Sequence, residues 1–169
     1  MRKEMSDVTK RIVTGLCKYV LLFCIIAYIY WVYSYSSTKD VPFEKTKEAL
    51  LNSMNDESIQ NMMDVSSRGL KRYYGFNAAE YDGVMMYIGN NGLSAEEILL
   101  IKVNDEKQMN ELEAAIKQRM KTRIKDFENY APDQAQLLRE AELIIKGKYI
   151  FLAVSENADK YKRVFLKLI

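Results

Sequence analysis

The chain has 169 residues, two cysteines, no histidine, and 25 Lys and Arg against 23 Asp and Glu, so its net charge is +2. The absence of histidine excludes a Ser-His-Asp triad and a Cys-His pair, and a zinc site outside the apolar segment that holds both cysteines would need carboxylates alone. The seven glycines are scattered and form no phosphate-binding loop, so we predict a protein that is not an enzyme and has no metal or cofactor.

The N-terminal part of the chain is a predicted transmembrane anchor. The segment IVTGLCKYVLLFCIIAYIYWVY begins at Ile12 and contains one charged residue, Lys18. A helix of this length rises about 33 Å, enough to cross a bilayer core of about 30 Å. Lys18 can extend its side chain to the headgroups. We assign a span in contact with the lipid bilayer to residues 12–35, with an aromatic belt at its far end formed by Tyr28, Tyr30, Trp31 and Tyr33.

Charge predicts the orientation of this span. Four basic residues lie in the tail, residues 1–11, and the first basic residue after the span is Lys39. The positive-inside bias puts the tail in the cytoplasm, so we predict a single-pass protein of the cell membrane with an extracytoplasmic C-terminal domain. A cleaved signal peptide and a buried helix of a soluble protein are the alternatives. No Ala-x-Ala site follows the apolar run, which argues against cleavage.

The rest of the chain is predicted to be a tether over residues 36–42 and one domain over residues 43–169. From Ser36 onward, 20 basic and 21 acidic residues leave a net charge near −1, so we expect no nucleic-acid partner. The domain begins with three amphipathic helical turns. They lie at residues 43–54, around residues 59–63, and at residues 70–74 with a glycine C-cap at Gly75.

After Gly83 the hydrophobic period changes from helix to strand. Residues 84–88 and 98–103 predict an antiparallel pair, and residues 143–145 and 149–154 predict two more strands. Asp105 with Gln108 forms a capping box for a long helix between the two pairs. Pro132 begins a short helix, and Ser155 is predicted to cap the last one.

The order of elements, helices followed by ββαββα, indicates the fold class. We predict an α+β fold in which helices pack on one face of a small mixed or antiparallel sheet, preceded by one N-terminal transmembrane helix. A domain of this size is large enough to have its own core and needs no disulfide.

The segment from Ser94 to Val154 contains SAEEILLIKV, KQRM, FENYAPDQAQLL and KGKYIFLAVS. In these pieces the chain resembles an uncharacterised family of bacterial extracytoplasmic proteins, the domain of unknown function 4358. Many members are lipoproteins or single-span anchored proteins, but this chain lacks the lipoprotein cysteine. The resemblance implies an envelope location and no known activity. Its most specific positions are Arg119, Tyr130 with Pro132, and Gly147 with Tyr149.

Arg119 and Tyr130 are the candidate contact residues. They form a ligand-binding couple in one interpretation. In the other, Arg119 fixes a neighbouring loop through hydrogen bonds and Tyr130 packs beside Pro132. The basic run from Lys117 to Lys125 is either a solvated helix surface or a contact for an anionic wall polymer or lipid headgroup. Four tyrosines either stack on a ligand or fill the core, and they are Tyr73, Tyr74, Tyr81 and Tyr87.

The sequence therefore favours a membrane-anchored extracytoplasmic interaction module of the bacterial cell envelope. We expect an envelope protein or wall component as its partner, and its homo-oligomerisation stays open. The alternative is an extracytoplasmic enzyme or small-ligand-binding domain with a site formed by carboxylates or arginines. A cleft in which acids or arginines converge would favour that alternative.

Overall fold

The computed structural model describes residues 18–29, 40–54 and 57–169. The chain divides into two compact units, Met1–Thr38 and Lys39–Ile169. In the first unit, residues 18–29 form an exposed helix, α1, which contains Lys18 and Tyr28. The other predicted belt residues, Tyr30, Trp31 and Tyr33, lie outside the described residues.

The predicted membrane span over residues 12–35 lies only partly within the described chain. Of the helices that the structure describes, none combines the length and the apolar character needed to cross a bilayer. The anchor therefore stays a prediction from the sequence.

The second unit is an α+β domain built on a five-stranded sheet. Its strands are β1 (Met62–Asp64), β2 (Gly83–Gly89), β3 (Glu97–Lys102), β4 (Glu142–Lys146) and β5 (Tyr149–Val154). All neighbouring strands are antiparallel, in the order β1-β2-β3-β5-β4. Its helices are α2 (Phe43–Ser53), α3 (Glu57–Gln60), α4 (Gly69–Tyr74), α5 (Glu106–Glu128), α6 (Pro132–Arg139) and α7 (Ala158–Leu168), with a 3-10 turn at Ala78–Glu80.

Helices cover both faces of the sheet, so the prediction that they pack on one face is wrong. One core lies between the sheet and α4, α5 and α6, on what we call the α5 face, and includes Leu99 and Leu152. The other lies between the sheet and α2 and α7, on the α7 face, and includes Leu100 and Phe151. The physical reason is that the interior of β3, Ile98–Ile101, and all of β5 are continuous apolar runs. Side chains on both faces of these strands are therefore buried.

The predicted elements agree with the structure except at two places. Met62 and Met63, predicted to be helical, form strand β1, because Met63 pairs with Ile88 of β2. Ser155 is not the N-cap of the last helix. Its hydroxyl accepts from the backbone N–H of Asn157 at 3.2 Å, and Asn157 itself precedes the first helical residue.

Two local signals read from the sequence are confirmed at element ends. The Asp105 carboxylate accepts from the backbone N–H of Gln108 at 2.8 Å, which fixes the start of α5. Gly75 ends α4 with a φ of 82°, a left-handed conformation that glycine adopts without steric cost. The antiparallel pairing of β2 with β3 is also confirmed.

The chain enters the domain at the Lys102 end of β3. Lys102 is only 6% exposed, and its Nζ lies 2.8 Å from Asp40 and 3.0 Å from Asp82. Lys102 also donates to the carbonyl of Val41 at 3.2 Å, and the Tyr149 hydroxyl donates to the same carbonyl at 2.8 Å. We call these five residues the entry clamp. Asp40 and Val41, assigned to the tether from the sequence, thus contact the sheet.

Candidate functional site

A buried carboxylate lies at the opposite end of β3 from the entry clamp. Glu97 is 1% exposed. Its Oε2 accepts from Arg119 Nε at 3.3 Å, Arg119 Nη2 at 3.1 Å and Arg123 Nη1 at 3.1 Å. Its Oε1 accepts from the hydroxyl of Tyr74. A buried carboxylate without such partners would destabilise the fold by roughly several kcal/mol, because its charge would be removed from water without compensation.

Helix α5 positions the two arginines of this cluster. Arg119 and Arg123 are four residues apart and therefore share one helix face. The Arg119 guanidinium lies 4.6 Å from the ring centroid of Tyr73 and 5.4 Å from that of Tyr74. Arg123 also donates to the carbonyls of Ser94 at 3.0 Å and Ala95 at 3.2 Å. The two side chains thereby join α5 to the start of β3 and to the segment that precedes it.

The protonation of Tyr74 and Arg123 follows from their burial in this cluster. Burial, then the charge of Glu97 and the hydrogen bond to it, raise the pKa of Tyr74 well above its usual value. Tyr74 therefore stays a hydroxyl donor at neutral pH. Burial lowers the pKa of Arg123, while the charge of Glu97 acts in the opposite direction. Both Glu97 oxygens already accept hydrogen bonds from the protein. This cluster therefore holds α4 and α5 against β3.

A groove lies between α4, α5 and the turn that follows β2. It consists of two adjoining cavities of about 580 Å³ and about 350 Å³. The larger cavity is lined by Arg68 and Arg72, and the smaller one by Arg119 and Arg123. We call the two together the arginine groove. The cavities share the lining residues Tyr73, Ile88, Gly89, Asn91 and Gly92.

The arginines of the groove differ in whether they are already paired. Arg119 and Arg123 bind Glu97, whereas Arg68 and Arg72 are exposed and have no carboxylate within 4 Å among the residues that the structure describes. Carboxylates also line the groove, at Asp64 in the larger cavity and at Glu96 and Asp126 in the smaller one. Asp64 accepts from the N–H and the hydroxyl of Ser66 at 2.8 and 2.6 Å.

Exposed apolar side chains border the arginine groove. Met63 is 50% exposed and Tyr130 is 58% exposed, and each lines one of the cavities. Leu93 is 67% exposed and lies between Gly92 and Ser94, which line the groove. In the described part of the second unit, the next most exposed large apolar side chains are Ile145 at 39% and Leu166 at 38%. Exposed apolar groups gathered at a groove are typical of binding surfaces.

The structure brings the two candidate contact residues to one cavity. Arg119 and Tyr130 both line the smaller one. Arg119 makes hydrogen bonds, but their acceptor is Glu97 in strand β3, whereas the structural interpretation expected a neighbouring loop. Tyr130 is exposed, and its ring lies 5.4 Å from that of Phe127. Whether either residue binds a ligand stays a prediction.

The basic run on α5 divides into two rows. Lys117, Lys121 and Lys125 are exposed, and Lys117 pairs with Glu113, whereas Arg119 and Arg123 face Glu97.

The four tyrosines that were expected to be either exposed or buried are all half-buried, and they are Tyr73, Tyr74, Tyr81 and Tyr87.

Sequence reasoning missed Arg68 and Arg72, and it did not foresee the pairing of Glu97 with arginines. Arg68 precedes the first residue of α4, and Arg72 lies within that helix four residues later, where its N–H donates to the Arg68 carbonyl at 3.1 Å. Glu97 was a charged residue next to an apolar run, and its arginine partners lie 22 and 26 residues away. The spacing of Arg68 and Arg72 was visible in the sequence, whereas the partners of Glu97 could be identified only from the fold.

Residues 55–155 match a family model described as Domain of unknown function (DUF4358). No curated protein matches the chain, and no solved structure does.

Proposed function

This chain belongs to the DUF4358 family, and we propose that it is a membrane-anchored extracytoplasmic binding module of the bacterial cell envelope. The apolar N-terminal segment and the charge bias around it support the anchor. We propose that the arginine groove is the binding site for another envelope component.

The single observation that carries this proposal is that arginines and exposed apolar side chains meet in one groove. Arg68 and Arg72 line the larger cavity and have no carboxylate partner among the described residues. The exposed side chains of Met63 and Tyr130 line the larger and the smaller cavity, respectively. Exposed apolar groups gathered with a few charged groups at a groove are typical of binding surfaces.

Photocrosslinking in intact bacterial cells tests this proposal. The photoreactive residue p-benzoylphenylalanine is placed at Asn90, an exposed groove residue, and as a matched control at Lys148, an exposed residue in the β4–β5 turn near the clamp. We expect an envelope component to be trapped from Asn90 and not from Lys148. Equal trapping from both positions, or none from Asn90, would contradict the proposal.

A specific observation also favours the second candidate, a small-ligand-binding domain or an enzyme. Arginines and carboxylates converge in the smaller cavity, where Arg119 lies with Glu96 and Asp126. Convergent charged groups in a cavity are typical of small-molecule sites. It predicts that the purified chain turns over or binds a small molecule, and that Asp126→Asn abolishes the effect while Glu140→Gln, an exposed change outside the groove, does not.

A further inference from the structure

We infer that the arginine groove binds an extended peptide segment of a partner protein, in which acidic side chains neighbour an apolar one. This inference rests on the proposed function and adds the chemical class of the partner.

The acidic side chains are inferred from two arginines that have no carboxylate partner among the described residues, although the Arg72 guanidinium also lies 5.5 Å from the ring centroid of Tyr73. Arg68 and Arg72 both line the larger cavity, and no carboxylate of the described chain neutralises them. They lie one helical turn apart, which corresponds to a rise of about 6 Å. In an extended peptide, side chains at positions i and i+2 point to the same side and are separated by about 7 Å. Two acidic residues at this spacing match the two guanidinium groups, and such charge-assisted pairs are the strong ones.

The apolar side chain is inferred from the floor and rim of the same groove. Tyr73 and Ile88 are half-buried and shared by both cavities. The rim adds the three exposed apolar side chains Met63, Leu93 and Tyr130. Covering apolar surface stabilises a complex because that surface is removed from water. A polyol-phosphate wall polymer offers phosphates to Arg68 and Arg72 but has no apolar group for this surface.

The turn after β2 fits the backbone of such a segment. A side chain at Gly92 would meet no atom within 4 Å, so open space lies beside this backbone. The Asn91 side-chain oxygen accepts from the N–H of Leu93 at 3.0 Å. Within the described chain its amide nitrogen has no acceptor, and it can therefore donate to a peptide carbonyl.

Nucleic acid fits these observations less well than a peptide does. The net charge is near −1 from Ser36 onward, and the larger cavity supplies two cations, Arg68 and Arg72. Binding to a phosphate backbone depends on many neutralising cations.

Selection from a library of random dodecapeptides displayed on phage tests the inference. The bait is the full-length chain in detergent, and the selected peptides are then measured by fluorescence anisotropy. We expect enrichment of peptides with two acidic residues near a Leu, Phe or Tyr. Arg68→Gln and Arg72→Gln should each weaken binding about tenfold in Kd, which is about 1.4 kcal/mol, because each removes a charge-assisted hydrogen bond. Arg163→Gln, an exposed arginine on α7, is the matched control and should leave Kd unchanged.

Three outcomes would overturn the inference. They are enrichment without an acidic bias, binding that persists in both groove variants, and groove-dependent binding of poly(glycerol phosphate) or of phosphatidylglycerol vesicles in place of peptides. Crosslinking from Asn90 keeps this test separate from the proposed function. If Asn90 traps an envelope component but the peptide selection fails, only the partner class is wrong. If Asn90 traps nothing, the proposed function itself fails.

Discussion

Glu97 and Lys102 occupy the two ends of β3, and each is a buried charge that fastens the sheet to another segment of the chain. Glu97 binds two arginines of α5 whose side chains are only 17–20% exposed. Lys102 binds two carboxylates that are 62% and 52% exposed. The partners of Lys102 therefore regain solvent when it is removed, and the partners of Glu97 do not. Two substitutions of similar type should thus have unequal costs.

The substitution Glu97→Gln should destabilise the domain strongly. It leaves Arg119 and Arg123 without a counter-charge in a site that excludes most water, and breaking a buried pair in this way costs about 3 kcal/mol. The free energy of unfolding, measured by urea denaturation, should fall by that amount. The control Glu44→Gln breaks an exposed pair with Lys47 and should change stability by less than about 0.5 kcal/mol. Equal effects of the two substitutions would show that the buried ion pairs of Glu97 do not hold α5 against β3.

The substitution Lys102→Met should cost less than Glu97→Gln. Methionine keeps most of the apolar stem, while Asp40 and Asp82 return to water, so the main loss is the hydrogen bond to the buried Val41 carbonyl. We expect a decrease of about 1–2 kcal/mol and faster proteolysis at residues 40–45. A loss larger than that of Glu97→Gln would contradict the difference in solvent access described above.

The strands and helices were largely predictable because their signals are local. Alternating or continuous apolar runs, the Asp105 cap and Gly75 act within a few residues. Met62 and Met63 fitted either a helix or a strand, and pairing with the distant β2 decided between them. The second helical layer was readable in principle, because Ile98–Ile101 of β3 and all of β5 are continuous apolar runs, a pattern typical of strands buried on both faces.

The groove was less predictable than the fold because its parts are distant in sequence. Arg119 and Tyr130 were identified as candidates, yet the cavity that they line also needs Tyr73 and the turn after β2. No periodicity within one segment indicates that α4 and α5 meet at Glu97. Such a convergence is a property of strand order and helix packing.

Alkaline pH should destabilise the domain through Tyr74. Its pKa is raised in the folded state by burial first and then by the charge of Glu97 and the hydrogen bond to it. Because the pKa of Tyr74 is higher in the folded state, its contribution to the free energy of unfolding is complete below the unfolded pKa of about 10. That contribution is lost as the pH rises through the folded pKa. Between about pH 8 and about pH 10.5, the wild type should therefore lose more stability than Tyr74→Phe, as measured by urea denaturation.

Lys102 provides the control for that pH dependence. Burial lowers the pKa of Lys102, but hydrogen bonds from Lys102 to Asp40 and Asp82 outweigh burial and leave the pKa raised. Its contribution is likewise lost only above its unfolded pKa of about 10.4. The substitution Lys102→Met removes the contribution of Lys102 to the pH dependence of stability. The difference between Lys102→Met and the double variant Lys102→Met with Tyr74→Phe therefore gives the contribution of Tyr74 alone. Parallel pH profiles for these two variants would show that Tyr74 does not titrate as proposed.

Residues 40–169 should fold without the N-terminal segment, and the entry clamp should set where the shortest stable fragment begins. Both hydrophobic cores are composed of residues from Phe43 onward, so a fragment that starts at residue 43 keeps every core side chain in them. It loses Asp40 and the Val41 carbonyl, however, and Lys102 then keeps only Asp82 as a charged partner. We expect cooperative urea unfolding for both fragments, with the 43–169 fragment less stable by about 1–3 kcal/mol. The cost of Lys102→Met should also shrink in the shorter fragment, because two changes that remove the same contact are not additive. Additive costs would mean that Lys102 stabilises the domain independently of Asp40 and Val41, and that the chain is not held where it enters the sheet.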